Sequence, residues 1–525
     1  MLRGLPLALL ALGLAARLAP LFEPGDRGLR QFPSEDGYLM LTIARNMALG
    51  RGMSIAAGEI PTNGTQPFMS GVYALAFWLV NGDRTWGVWL SQLTQAGIAV
   101  AAALVLFAVV RRMLAGHPAA TRVTALTAGL WFAGPVAVKH TQNCLETGAY
   151  ALACLCIALY SLRLPAGGRD WPLRRCMLLG TLLALAFWVR NDAALLVAAV
   201  CLARVLPALR LRKPVPWRRW IEATVIGATA LSGAFPWLLN NRLGFGYWMP
   251  ISGVSEGTHV TLGENLGYLP APLAEYASVI LQIPSQLERH PFVIGGCSLV
   301  VLLNVLGAVA MTRRLTPRAR AWMAVVGLWA LLFVAFYGIR FGVGFFISRY
   351  FFPLSPYLAL TTVFWIDAAW RASALSRVPV ARALVGLSLL VVIAGLDLRL
   401  YLRGTEHQHF QVVEWVEKNV PDAVWVGAVQ TGTLGFFHDR TINLDGKVNP
   451  YALQARLAQR IHEYVPATPI EYLADWPGIE QWLDKPGLRG RFELYVNDPE
   501  QRLVVLRRVE PVPPSVSPAG GYDRP

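Results

Sequence analysis

Charge is what this chain has least of. Asp, Glu, Lys and Arg make up 15% of its 525 residues, where soluble domains carry roughly 25%. That deficit excludes an ordinary soluble globule. With 55% hydrophobic residues and a mean hydropathy of +0.43, lipid is the implied solvent. Cysteine is also sparse, and none lies beyond residue 297. Cys154 and Cys156 stand two apart on a helix and face apart, a poor metal pair, and no disulfide framework is implied. A glycine-rich nucleotide loop and a metal signature are both missing, which argues against an ATPase or a nucleotide-sugar enzyme. No cofactor is implied, and a divalent metal stays open. The net charge of +15 does not signal nucleic acid. Its basic residues fall in short clusters between apolar runs, as the positive-inside rule explains.

What is present is a series of apolar runs. A spanning helix needs about 20 such residues. Eleven candidates are Leu5–Phe22, Thr85–Val110, Thr121–Val138, Thr147–Leu162, Cys176–Val189, Ala193–Leu209, Trp220–Leu239, Phe292–Met311, Ala321–Phe336, Tyr350–Trp370 and Leu384–Leu402. The first has only a weak small-residue cleavage site at Ala15-Ala16 and reads as an anchor. Pro67–Val80 is roughly 14 residues long, in the range of interfacial helices. If it lies along the surface, Arg111/Arg112, Arg174/Arg175 and the clusters at 210–219, 313–320 and 371–382 all face the cytoplasm; if it crosses, all of them flip. The positive-inside rule favours the first arrangement. The N-terminus is then cytoplasmic, and the tail is outside. Glu23–Arg84, Lys139–Glu146, Asn240–Pro291 and Ile339–Arg349 are outside too.

From about residue 403 the texture changes. Phe410–Asn419 reads as an amphipathic helix stopped by Pro421. Ala423–Val429, Thr441–Leu444, Arg491–Val496 and Leu503–Val509 read as strands, and Tyr451–Tyr464 as a helix. The expected fold class is therefore an α-helical polytopic membrane module over 1–402 followed by a small α/β domain over 403–510. Pro511–Pro525, rich in Pro, Gly and Ser, reads as disordered.

Glu35 and Asp36 follow the first span. Acids at that place cap a helix N-terminus, the reading that local features favour; the functional reading makes one of them a general base at the bilayer surface. Arg190, Arg242, Arg340 and Arg349 lie on the outer side, where positive charge is otherwise scarce. Each either snorkels to headgroups or binds phosphate through its planar fork. Lys139 and His140 are further phosphate contacts to consider, and Glu146 either orients substrate or caps the next helix. Tyr247 and Trp248 fit an aromatic belt as well as a sugar platform. Asp445 and Lys447 follow a strand and read as an ordinary loop.

The motifs Glu35-Asp36-Gly37-Tyr38-Leu39, Ala44-Arg45-Asn46 and Gly50-Arg51-Gly52 open a set that continues through the chain. Asn63-Gly64-Thr65-Gln66-Pro67, Glu146-Thr147-Gly148 and Arg190-Asn191-Asp192 follow. Asn240 to Pro250, Ser348 to Leu354, Gly432–Phe437 and Asn443-Leu444-Asp445-Gly446 complete it. In this order the set resembles the bacterial C-type (GT-C) glycosyltransferases over nearly the whole chain. Two departures stand out: Glu35 where Asp is commoner, and no lysine close after Pro250. The resemblance implies inverting transfer of a sugar from a polyprenyl-phosphate donor to an extracytoplasmic glycan, lipid or protein acceptor. It implies a base at Asp36 or Glu35, and substrate contacts at Asn63, Glu146, Arg190, Arg242 and Arg349; Lys139 and His140 join them only by their place in an outer loop. Other readings are a transporter or flippase, which would bury ionisable sites at mid-membrane, and a non-catalytic scaffold.

Overall fold

The computed structural model describes residues 4–23, 27–165, 170–210, 216–257, 262–341, 347–403, 409–512 and 516–522. Six helices among them are long and apolar enough to cross a membrane: Leu5–Phe22, Arg84–Met113, Trp217–Phe245, Pro291–Thr312, Pro317–Arg340 and Pro379–Arg403. Thr147–Ser161 and Ala193–Leu206 are shorter apolar helices in the same bundle. The chain is a multi-pass helical membrane protein with a small C-terminal α/β domain.

Pro67–Leu79 forms a helix of 13 residues. At ~1.5 Å per residue it is ~20 Å long, against a hydrocarbon thickness of ~30 Å. It packs against the Glu35–Ala48 helix. Two expected spans depart from their reading: Tyr350–Trp370 is interrupted by a 3-10 turn at Phe352–Leu354 and continues as Ser355–Ala372. Thr121–Val138 is broken at Gly134-Pro135 into Ala120–Ala133 and Pro135–Thr141, because Gly134 is extended and Pro135 has no N–H to continue the ladder. Lys139 and His140 consequently sit on a helix rather than in a loop.

The tail is a five-stranded sheet ordered Thr441–Asn443, Trp425–Ala428, Ile470–Asp475, Leu503–Arg508, Phe492–Asp498. The first three run parallel, and the last two pair antiparallel. The middle strand, Ile470–Asp475, had no counterpart in the sequence reading. The helix expected at Tyr451–Tyr464 is two, Pro450–Leu457 and Ile461–Tyr464. Part of the stretch expected to be disordered folds back on the domain: the Pro518 carbonyl accepts the Tyr464 hydroxyl at 2.7 Å, and the Tyr522 ring packs edge-on to Tyr464.

The segment after the first span and the tail share one hydrophobic core. Leu39, Ile43, Ile55 and Ile60 are buried with Ile442, Leu444, Val448 and Tyr451. On the neighbouring face Tyr38 packs among Phe410, Phe436 and Phe437. Arg45 and Arg84 both reach Asp439 at 2.9 Å. Burial of this kind, at ~25 cal/mol per Å² of apolar surface, makes the tail a docked part of the molecule.

Candidate active site

The site starts from a capped helix. Ser34 Oγ accepts the Gly37 N–H at 3.1 Å and opens the Glu35–Ala48 helix. Its two leading acids are about 100° apart around the axis, and they go to different partners. Glu35 turns to the tail, where its oxygens accept the Gly432 N–H at 2.6 Å, the Thr433 N–H at 3.0 Å and the Thr433 hydroxyl. Asp36 turns into a cavity, with Oδ2 2.5 Å from Arg349 Nη1. Gly37 is needed for space, since a Cβ there would stand 2.1 Å from the Asn143 carbonyl oxygen. That oxygen also accepts the Ser34 N–H at 3.1 Å, so the acid pair is clamped to the loop leading to Glu146.

Gln95, inside the bundle on the Arg84–Met113 helix, holds that loop from beneath. Its amide donates to the Leu145 carbonyl at 2.7 Å and accepts the Cys144 N–H at 3.1 Å. Glu146 stands at the cap position of the Thr147–Ser161 helix but makes no capping bond. Its carboxylate faces Arg190 Nε at 3.6 Å instead. Arg190 also meets Asp192 at 3.2 Å and donates to the Arg349 carbonyl at 3.1 Å. Asp192 in turn accepts the Tyr337 hydroxyl at 2.7 Å, and Tyr337 stacks on Tyr350 with centroids 4.2 Å apart. Tyr350 accepts a second N–H of Arg349 at 3.2 Å. Arg190 is thus enclosed, with its side chain 3% exposed, and is bonded to the Arg349 backbone.

These groups line a cavity of about 1120 Å³. Asp36, Glu146, Arg190, Asp192, Arg340 and Arg349 give it a charged lining. Leu183, Phe187, Leu195, Ala230, Leu231 and Leu238 give it an apolar lining from the helices Leu173–Val189, Ala193–Arg210 and Trp217–Phe245. Arg340 has no ion-pair or hydrogen-bond partner among the described residues. Among the described residues there is also no group of three His, Cys, Asp or Glu able to hold a metal ion.

Lys447, read from sequence as part of an ordinary loop, lines the same cavity. Its ammonium lies 2.7 Å from Glu256 and 3.9 Å from Asp445. Burial works against its charge, but Asp36, Asp445 and Glu256 outweigh it and raise the ammonium above the ordinary lysine value. The only sequence signal was a lysine in a glycine-containing turn, too common a pattern to single out. Glu256 and Tyr337 went unremarked because their partners, Lys447 and Asp192, are distant in sequence.

Several expected contacts lie elsewhere. Arg242 is exposed outside the cavity and donates to the Gly246 carbonyl at the end of its own helix. Gly246, at φ +77°, ends that helix in a left-handed turn, so Arg242 serves the helix terminus. Lys139 is exposed and away from the cavity. His140 is buried against Tyr276 and Phe352. Burial, with the nearby charges of Lys139, Arg349 and Arg190, lowers its imidazole to about 3, so it is neutral and no cation for phosphate. Asn63 is buried and ties two segments together. Its amide donates to Asn241 Oδ1 at 2.9 Å and its Oδ1 accepts the Ile251 N–H at 3.2 Å. Its neighbours Gly64, Thr65 and Gln66 reach the cavity in its place.

Solved structures share this fold. ArnT from Cupriavidus metallidurans bound to undecaprenyl phosphate matches with a TM-score of 0.59 at 16% identity, over 97% of this chain and 98% of that one. The Archaeoglobus fulgidus oligosaccharyltransferase in its apo form matches at 0.55 and 13% identity, over 98% of this chain and 75% of that one. The same organism's oligosaccharyltransferase AglB, in complex with an inhibitory peptide and a dolichol-phosphate, matches at 0.51 and 12%, over 97% and 75%. By sequence, a model for a domain of unknown function, DUF8728, matches residues 398–502. No curated protein matches the chain. From its first span to its tail domain, the chain has the fold of the C-type (GT-C) glycosyltransferases.

Proposed function

We propose that this protein is a membrane glycosyltransferase that moves a hexose or pentose from a polyprenyl-phosphate carrier to an extracytoplasmic acceptor, with inversion. The observation that carries the reading is that one cavity is lined both by apolar side chains of three helices and by a cluster of paired charges. An isoprenoid chain suits the apolar lining, and its phosphate suits the arginines. Arg349 and Arg340 are the phosphate contacts, since guanidinium forks match phosphate oxygens. Asp36 is the general base. The acceptor hydroxyl attacks the anomeric carbon, its proton passes to the carboxylate, and the phosphate departs on the opposite face. Glu146, Arg190 and Asp192 position Arg349. Glu35 is not the base in this reading, because its oxygens are already occupied by the tail. The ligands named for ArnT and AglB, undecaprenyl phosphate and a dolichol-phosphate, support a lipid-phosphate donor for this fold. The eleven-span count and the outer location of the tail belong to the same proposal.

The experiment is transfer by the purified full chain, given radiolabelled polyprenyl-phosphate sugars and cell-envelope extract. Label should move from the lipid to an acceptor, leaving polyprenyl phosphate. Movement of intact labelled lipid between leaflets without transfer would favour a flippase and overturn the reading.

A further inference from the structure

Among the described residues, four cations line the cavity: Arg190, Arg340, Arg349 and Lys447. Three come from the membrane module, and Lys447 comes from the tail. Its loop is rigid. Asn443 Oδ1 accepts the Gly446 N–H at 3.0 Å, and Asp445 Oδ1 accepts the Lys447 N–H at 2.8 Å. Gly446 lies at φ +75°, a conformation that favours glycine. The Lys447 carbonyl oxygen presses so close to Gly64 that a Cβ there would stand 2.2 Å away. Asn449 caps the following helix through the Tyr451 and Ala452 N–H groups. A hydrogen-bonded loop thus carries a flexible ammonium into the cavity.

A salt bridge that merely docks the tail would explain Lys447–Glu256, but docking there is already served. The Ser255 hydroxyl donates to the Asp445 carbonyl at 2.8 Å, and Arg456 bonds both. Glu35 and Asp439 hold the tail elsewhere. The remaining cations are also unequally available. Arg190 is committed to Glu146 and Asp192, and Arg349 is engaged by Asp36. The transfer step needs more positive charge than its donor does. The C1–O bond to phosphate breaks as the acceptor O–C1 bond forms. The electron pair stays on the phosphate oxygen, the acceptor proton goes to Asp36, and a singly charged diester becomes a doubly charged monoester.

We infer that Lys447 contacts the substrate: its ammonium leaves Glu256 and binds the carrier phosphate, so that the tail domain completes the donor site. The inference rests on the lipid-phosphate reading above. Lysine fits the task because it is a point charge on a flexible stem with three rotatable donors.

The test is binding of undecaprenyl phosphate and of undecaprenol to the full chain in nanodiscs. Lys447→Gln should weaken the phosphate lipid ~10- to 100-fold and leave the alcohol unchanged. Lys447→Arg should restore most of the loss. Glu256→Gln removes the resting partner and should bind the phosphate lipid as tightly as wild type, or more tightly. Equal weakening by Lys447→Gln and Glu256→Gln would make the pair a docking bridge and overturn the inference. So would wild-type affinity in Lys447→Gln while Arg349→Gln loses binding, with the carrier reading left standing. A wild-type protein that binds undecaprenyl phosphate no better than undecaprenol would remove the carrier reading and this inference together.

Discussion

Replacing Glu35 by Gln should loosen the tail from the membrane module without touching the cavity. The Glu35 carboxylate accepts two backbone N–H groups, at 2.6 Å from Gly432 and 3.0 Å from Thr433, and the Thr433 hydroxyl. Glutamine keeps one accepting oxygen. Whichever way its amide turns, an NH₂ then faces a backbone N–H, donor against donor. A hydrogen bond to a charged group contributes ~1.5–3 kcal/mol. Losing one, and opposing two donors, should cost the docked state ~2–4 kcal/mol. Local opening should rise roughly 30- to 1,000-fold. Hydrogen exchange at the Gly432 and Thr433 amides reads that opening directly. The contact has little slack, because a Cβ on Gly432 would stand 1.8 Å from the Glu35 carbonyl oxygen. Exchange at wild-type rates in Glu35→Gln would refute the docking role and return Glu35 to contention as the base.

Other outcomes follow from the same geometry. Arg349→Gln should weaken undecaprenyl phosphate binding ~10- to 100-fold, as expected for one charge-assisted contact, read by titration in nanodiscs. Arg242→Ala should leave KM and kcat unchanged and cost ~0.5–1 kcal/mol of stability, because its bond is to its own helix end; thermal unfolding beside transfer kinetics checks both. Glu275, outside the spans, is raised by burial from 4.5 to about 7, so across that window the folded chain keeps a proton that the unfolded chain releases. Stability should therefore fall as pH rises from 4.5 to about 7, and Glu275→Gln should flatten that slope in Tm measured against pH.

The apolar runs made the membrane module readable, because hydropathy reports directly on solvent. The short Pro67–Leu79 helix was readable from its apolar run. The break at Gly134-Pro135 was written in two residues and was overlooked because the surrounding run stayed apolar. The strand Ile470–Asp475 was missed because it lies mid-sheet, and its burial leaves no clean alternation to find. At the site, Asp36, Glu146, Arg190 and Arg349 were legible as polar residues at the ends of apolar helices. Arg242 was equally prominent in sequence, yet it points away, since only the helix phase decides which side chains turn inward. Lys447 was hidden for the opposite reason. Nothing local marks a tail lysine as cavity-lining, and its significance comes from Asp36 and Glu256, far off in the chain.

The central claim is that Asp36 takes the acceptor proton while cations hold the phosphate. Its most direct test is the single-turnover transfer rate of Asp36→Asn beside its affinity for the polyprenyl-phosphate donor. The rate should fall ~10²- to 10⁴-fold. Donor affinity should hold or improve, because Arg349 loses the carboxylate that engages it at 2.5 Å. A variant that transfers sugar at the wild-type rate, or one whose donor binding collapses in step with its rate, would contradict the account.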